Sequence, residues 1–337
     1  MKKSISLLLV LVLILGVFAF ISSEDKEDGA EDETLAVTIV VSSAFGDKSV
    51  NDSAKEGGEM LAAEERFQVE YIECNNEKIK QHLMDAADDS DVVIAVGWQC
   101  YEISEVAPEY PKVKFILVDN AAEGIENIPN LLSITYAQNE GGFLAGYIAA
   151  EMSSSGVIGT VGGEETEAAK DYIRGFKQGA AYVNPDIQVV SVFTGNNDDP
   201  VAARQYGLEI AEKGTDVVFN LTGNGSTGVF QAARESGMYA IGIETDQKLT
   251  CREYDNLVLC SISRDIGQSV YDVICAYGQD DTWEGGKVLL TDMATGYISV
   301  VYGNENSMQV MDEELKVKVD GIRDMIVSGD IKVKSVR

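Results

Sequence analysis

The chain has 337 residues and a formal net charge of −30, with 26 basic against 56 acidic side chains. Nucleic acid and anionic membrane both demand a basic footprint, so this balance excludes them as partners. The length favours two domains of roughly 150 residues, and a hydrophobic share of 45% lets each bury a core.

The first residues read as an export signal. Lys2 and Lys3 precede an uncharged apolar run, Leu7–Ile21, the n-region and h-region of a secretory segment. No small-x-small cleavage site follows, and no Cys stands near Ser22. The run is a little short of the ~20 residues that cross a bilayer. Residues 1–21 are expected to be a signal peptide or N-terminal anchor, and 22–34 an acidic tether. Membrane contact would run through this segment only, with the rest extracytoplasmic, at the cell surface or in the periplasm. Disulfides are permitted there. Cys74 and Cys100 each follow a strand-like run, and Cys251 and Cys260 bracket a short loop. Two bridges with Cys275 left in a helix are expected, although spacing alone fixes no connectivity.

From Leu35 onward, short β-branched runs alternate with amphipathic helices. LAVTIVV (35–41) is apolar almost throughout, as a strand buried on both faces of a parallel sheet must be. A polar loop leads to a helix at 54–66, then strand FQVEYIE, helix 78–87, strand DVVIAV, helix 101–107, and strands VKFILVD and LLSITY. An apolar helix over 141–152 joins this half to a second that repeats the pattern. There VIGTV, IQVVSVF, DVVFNLT, YAIGIE and LVLCSI are strands, with helices at 165–182, 200–213 and 228–236 between them. A helix at 266–277, a strand GYISVVY and a helix at 312–328 close the chain. Strands separated by single helices imply a doubly wound α/β sheet in each half. Lobe 1 is therefore placed at 35–136 and lobe 2 at 137–261. The late elements exceed what lobe 2 needs, so 262–302 is expected to return to lobe 1, leaving 303–337 as a C-terminal segment with the final helix. Several linkers between lobes make a hinge.

Ligands of open α/β sheets sit beyond the carboxyl ends of the strands. The loops there, 42–53, 97–100, 119–122, 162–166, 194–199, 222–228 and 244–247, are rich in Gly, acid and amide. Such a cleft suits polyhydroxylated or amide-bearing neutral ligands. Gly223-x-Gly225-x-x-Gly228, followed by Glu244 at the next strand end, meets the dinucleotide fingerprint on paper. It sits in the second half of an exported chain, however, where glycines admitting some other ligand to the backbone fit better. Asp47 and Asn51 flank a helix start and serve either as caps or as paired ligand contacts. Trp98 is either half-buried core or an aromatic platform at the cleft mouth. Arg264 is either a surface cation or a donor into the cleft. His82 is the single histidine, which leaves no two-His metal site and no His-dependent triad. No cofactor and no catalytic constellation is expected.

Beyond these readings, the text resembles a known family. Residues 46–57, GDKSVNDSAKEG, are similar to the DxSFNxxAxxG opening of the basic membrane protein (BMP/PnrA-like) family of ABC-transporter substrate-binding proteins. Residues 139–146, NEGGFLAG, resemble its EGxFLAG helix start, and 158–163, IGTVGG, its IGxxGG strand. GFKQG (175–179), Asp199-Pro200, GIETDQ (242–247) and the closing IVSGDIKV (326–333) also fit. The resemblance implies a type I periplasmic-binding-protein fold, a nucleoside-type ligand, an ABC permease as partner and no enzymatic activity. Ligand contacts would fall on Asp47, Asn51, the Gly223–Gly228 loop, Glu244 or Asp246, and Arg264. Val50 stands where the family has Phe, and Asn197 where it commonly has an aromatic. Glu244 replaces the usual Asp, and Arg264 the usual Lys. The hydroxyl-binding side thus matches better than the base-stacking side, and Trp98 is the candidate for a substitute ring. The expectation is a monomeric receptor for a nucleoside or sugar-like compound. The rivals are a ligand sensor without a transporter and an enzyme acting on nucleosides or using a dinucleotide.

Overall fold

The computed structural model describes residues 34–280 and 283–336. The signal or anchor segment and all of the tether except Thr34 lie outside them. The first half runs β1 (Leu35–Val41), α1 (Val50–Ala62), β2 (Phe67–Glu73), α2 (Ile79–Asp89), β3 (Val92–Val96), α3 (Ile103–Val106), β4 (Lys114–Val118) and β5 (Leu131–Tyr136). The second runs α4 (Gln138–Met152), β6 (Val157–Gly162), α5 (Glu167–Val183), β7 (Gln188–Phe193), α6 (Pro200–Glu212), β8 (Val217–Leu221), α7 (Ser226–Ser236), β9 (Tyr239–Glu244), α8 (Gln247–Thr250) and β10 (Val258–Arg264). Then come α9 (Ile266–Asp280), β11 (Lys287–Thr291), β12 (Ile298–Val301) and α10 (Glu313–Val327).

Two six-stranded sheets result, ordered β11-β5-β4-β3-β1-β2 and β12-β10-β9-β8-β6-β7. Apart from the last strand of each, the orders are the same and the pairing is parallel. Central strands are buried along their whole length, VVIAV in β3 and VVFNL in β8, whereas the edge strand β2 alternates in and out. Helices cover both faces of such a centre, so its strands are apolar throughout. In each sheet the strand order reverses between the first and third strands. A crevice opens at that switch point, beyond the carboxyl ends. Both crevices are thereby available to one site.

The late elements divide between the lobes. α9 packs on α1 and β11 pairs with β5, both in the first lobe. β12 instead runs antiparallel to β10 in the second sheet, with Arg264 opposite Ile298. The expected return of the whole of 262–302 to lobe 1 therefore needs correction. The unpaired edge of β10 is closed by the strand GYISVVY, and the final helix follows it to pack on α4. KVLLT of β11 is mostly exposed and carries no apolar pattern that announces a strand. Among the described residues the chain passes between lobes near 137, 265 and 292–297.

The cysteines also depart from expectation. All five are free and buried. Cys260 belongs to the main apolar core and Cys251 to a separate cluster on α6, α7 and β8, which keeps the loop-bracketing pair apart. Cys74 and Cys100 share a third cluster, where the Cys100 thiol donates to the Val96 carbonyl at 3.4 Å. Burial pushes Cys74 up to about 11 and Cys100 up to about 12. They behave as small apolar side chains.

α4 is buried on nearly every side, as a helix apolar all round must be. It meets α5 at backbone contact through four glycines. A methyl group at Gly142 or Gly146 would strike the carbonyl oxygen of Tyr172 or Phe176, and one at Gly175 or Gly179 that of Asn139 or Phe143. Gly146→Ala is expected to cost about 1–3 kcal/mol, because backbone cannot yield as a side chain can. Gly321→Ala on α10, with open space around it, should be neutral or stabilising. Chemical denaturation of both variants checks this, and equal stability would contradict the packing argument.

Candidate functional site

Loops from both sheets enclose a cavity of about 430 Å³, within the usual range of roughly 300–1,000 Å³ for small-molecule sites. The first lobe supplies Ser42, Ser43, Asp47, Val50 and Asn51 after β1, Gly97, Trp98 and Gln99 after β3, and Asp119 after β4. The second supplies Glu164, Thr166 and Tyr172 after β6, Asn197 and Asp198 after β7, Thr222 and Gly223 after β8, Glu244 at the end of β9 and Arg264 at the end of β10.

The cavity floor is an ion cluster that spans the lobes. Arg264, its side chain 2% exposed, donates to both oxygens of Glu244 at 2.6 and 2.9 Å. It also donates to both oxygens of Asp119 in the other lobe. Gln138 donates to Asp119 as well, at 3.1 Å. The guanidinium lies 4.9 Å from the Tyr136 ring and 6.0 Å from that of Tyr172, inside cation–π range. Asp119, just after β4, and Glu244, the last residue of β9, occupy matching places, and both have φ of 66°. Left-handed backbone at a non-glycine residue costs about 1–3 kcal/mol and is retained where its surroundings fix it. Here it aims two carboxylates at one guanidinium. Burial would strip the proton from Arg264, but Asp119 and Glu244 hold it on, so it stays charged. Burial raises the Glu244 carboxyl above its ordinary value against the pull of Arg264, with Asp119 adding repulsion.

At the first-lobe wall, Asp47 accepts from the backbone N–H groups of Ser49, Asn51 and Asp52 at 2.9–3.1 Å and so caps α1. Capping and a place on the cavity wall coexist in this residue. Burial raises its carboxyl, and the three N–H bonds offset part of that. Asn51 gives its amide hydrogens to Ser43 Oγ at 2.9 Å and the Ala44 carbonyl at 3.0 Å. Its Oδ1 is left as the acceptor open to a ligand. Trp98 is 47% exposed, which removes the core alternative, and its Nε1 stands 3.4 Å from Glu164 of the opposite lobe. Thr245 Oγ1 donates to the Lys48 carbonyl at 2.9 Å, again lobe to lobe. Asn197 lines the cavity while its Oδ1 accepts from Glu164 N at 3.1 Å. Tyr172 lines it too, 3% exposed, and its enclosed hydroxyl has no hydrogen-bond partner among the described residues.

Two of the sequence-nominated residues lie elsewhere. Gly225 donates its N–H to the Asn197 carbonyl at 2.9 Å. Asp246 caps α8 through Lys248 N at 3.1 Å and accepts from Gly303 N at 2.8 Å, tying α8 to the segment after β12. Neither lines the cavity. The glycine spacing of 223–228 has a packing cause, since a Cβ on Gly228 would strike the Pro200 carbonyl of α6. Sequence reasoning did not single out Asp119, Glu164 or Tyr172. Asp119 was findable as the acid closing VKFILVD, whereas Tyr172 sits on a helix face that reads as core.

Arg264→Met is expected to destabilise by about 3–5 kcal/mol, because it strands two buried carboxylates. Adding Asp119→Asn and Glu244→Gln should recover much of that loss in chemical denaturation. No recovery would show that Arg264 acts by packing alone. Because Asp47 and Glu244 have raised values, their contribution to stability is full below the ordinary carboxylate range and is lost as pH rises through the raised values. Asp47→Asn should remove its part of that fall, read as the melting temperature against pH.

The comparisons agree with this architecture. The model of the family described as "ABC transporter substrate-binding protein PnrA-like" matches residues 34–335. Basic membrane protein A1 of Borrelia garinii subsp. bavariensis is 28% identical over 332 residues, covering 96% of this chain and 95% of that one. Basic membrane protein A of Borreliella burgdorferi is 28% identical over 331 residues, covering 97% and 95%. Among solved structures, an ABC transporter solute-binding protein from Aeropyrum pernix K1 superposes with a TM-score of 0.77 at 20% identity, covering 90% of this chain and 94% of that one. One from Conexibacter woesei gives 0.73 at 20% identity, covering 89% and 99%. These likenesses show the type I periplasmic-binding-protein fold. The family is one of substrate-binding receptors rather than enzymes. On the match across nearly its whole length, this chain belongs to the PnrA-like family of ABC transporter substrate-binding proteins.

Proposed function

We propose that this chain is an extracytoplasmic receptor that traps one hydroxylated small molecule, a nucleoside or related sugar-like compound, and delivers it to an ABC importer. The observation that carries the reading is the polar cavity between the lobes, floored by a guanidinium held from both sides. Carboxylates and amides on opposite walls accept from vicinal hydroxyls, and Asn51 Oδ1 is open to a ligand. Closure then exchanges the ligand's water bonds for protein ones, giving affinity with selectivity. Trp98 and Tyr172 are the aromatic side chains on the wall among the described residues. With Val50 and Asn197 at the positions that carry rings in the family, any base stacks on one of these two.

The basic residues and apolar run at the N-terminus support export and a tether. No described helix is long and apolar enough to cross a membrane. We take the receptor to act as a monomer.

Thermal unfolding of the full-length chain against nucleosides, free bases, pentoses and hexoses tests the proposal. A ligand at a hundredfold excess over its dissociation constant adds about 2.7 kcal/mol of stability, visible as a raised midpoint. A rise with nucleosides or sugars that Asn51→Ala abolishes is the expected result. No rise with any of them would contradict it.

A further inference from the structure

We infer that Thr245 is a latch of the closed cleft. Its hydroxyl, bonded to the Lys48 carbonyl of the other lobe, holds the Asp47–Asn51 wall against Glu244 and slows the escape of a trapped solute. The inference rests on the receptor reading above and adds a positioning residue to it, since neither Thr245 nor Lys48 lines the cavity.

Each lobe brings one tight turn to this contact, and in each the latch residue directly follows a wall carboxylate. In the first lobe Asp47 accepts from the backbone N–H groups of Ser49, Asn51 and Asp52. Asp52 accepts in return from Gly46 N at 2.6 Å and Lys48 N at 2.9 Å. Within this braced loop Lys48 is left-handed, with φ of 52°, a conformation that a non-glycine residue keeps only where its surroundings fix it. In the second lobe Thr245 N–H donates to the Ile243 carbonyl at 2.8 Å, closing a three-residue turn on Glu244. The Ser263 hydroxyl donates to the Glu244 carbonyl at 3.0 Å and braces that turn. Both turns are fixed by bonds within their own lobe, so one bond between them sets the distance from Asp47 to Glu244.

Other contacts across the cleft do not do this. Arg264 and Gln138 reach Asp119 on the floor, beside the crossings near 265 and 137. At the mouth, the Trp98 indole stands 3.4 Å from Glu164, long for a hydrogen bond. The Thr245–Lys48 bond is 2.9 Å and partly buried. It also has a force to oppose, because Asp47 is near enough to Glu244 to add to the repulsion that raises the Glu244 carboxyl. Closure brings these like charges together, and a neutral bond between the residues that follow them holds the walls without adding charge.

The test uses the full-length chain carrying Trp283→Phe, in which Trp98 is the sole indole, with Thr245→Val or Thr245→Ser added. Valine keeps the branched shape and loses the hydroxyl, whereas serine keeps the hydroxyl. Without solute, acrylamide quenching of Trp98 reports how open the mouth is, because the indole faces Glu164 across it. Quenching is expected to rise in Thr245→Val and to stay at the parent level in Thr245→Ser. With adenosine as the probe, stopped-flow emission should show dissociation about threefold to tenfold faster in Thr245→Val, the worth of one hydrogen bond, and association within about twofold. Thr245→Ser should again match the parent. Parent-level quenching or parent-level dissociation in Thr245→Val, or equal changes in both variants, overturns the latch and leaves the receptor reading standing. If adenosine binds none of the three chains, the nucleoside form of the receptor reading falls, and quenching alone decides the latch.

Discussion

A single guanidinium sits between two carboxylates that come from different sheets, and the geometry of both lobes at the cleft depends on it. Arg264 ends β10, Glu244 ends β9 beside it, and Asp119 reaches across from the end of β4. Burying an ion pair is costly, and a hydrophobic replacement is often no less stable. What the arrangement secures is position. The guanidinium presents bidentate bonds to two partners, which fixes both in angle and distance. Separation of the lobes would break the Asp119 half of the cluster and leave the Glu244 half intact.

Within each lobe, glycines bring helices into backbone contact. Gly142 and Gly146 on α4 face Gly175 and Gly179 on α5, each against the other helix's backbone. α1 and α9 approach in the same way through Gly57 and Gly267, in the first lobe. Tyr172, whose carbonyl abuts Gly142, carries the ring that lies beside Arg264. A helix crossing that serves packing therefore also sets a wall of the cavity. The same economy recurs at Asp47, which caps α1 and lines the site.

Much of this was legible in the text. Unbroken apolar runs such as LAVTIVV and DVVIAV declare parallel strands, and their alternation with helices fixes the α/β class and the doubled sheet. The carboxyl-end loops could be named in advance because topology places them. Seven of the nominated side chains and glycines, Asp47, Asn51, Trp98, Asn197, Gly223, Glu244 and Arg264, line the cavity. What failed were features decided by long-range geometry. β11 is an exposed edge strand with no periodicity to betray it. β12 crossed to the second sheet because β10 offered an unpaired edge, a fact no local window contains. Asp246 looked like Glu244's neighbour in function but points toward Gly303. Cys251 and Cys260 are close in sequence and lie in different apolar clusters, so proximity in the chain misled.

The claim that matters most is that a solute enters between the lobes and is felt at the cleft mouth, where Trp98 stands 47% exposed. The chain has two tryptophans. In the full-length chain carrying Trp283→Phe, Trp98 is the sole indole, and its emission can be followed as nucleosides, free bases, pentoses and hexoses are titrated in. The account expects at least one of them to shift that emission saturably, with the shift lost in Asn51→Ala. Emission that stays flat for every probe, including any that raises the melting temperature, would place binding elsewhere and contradict it.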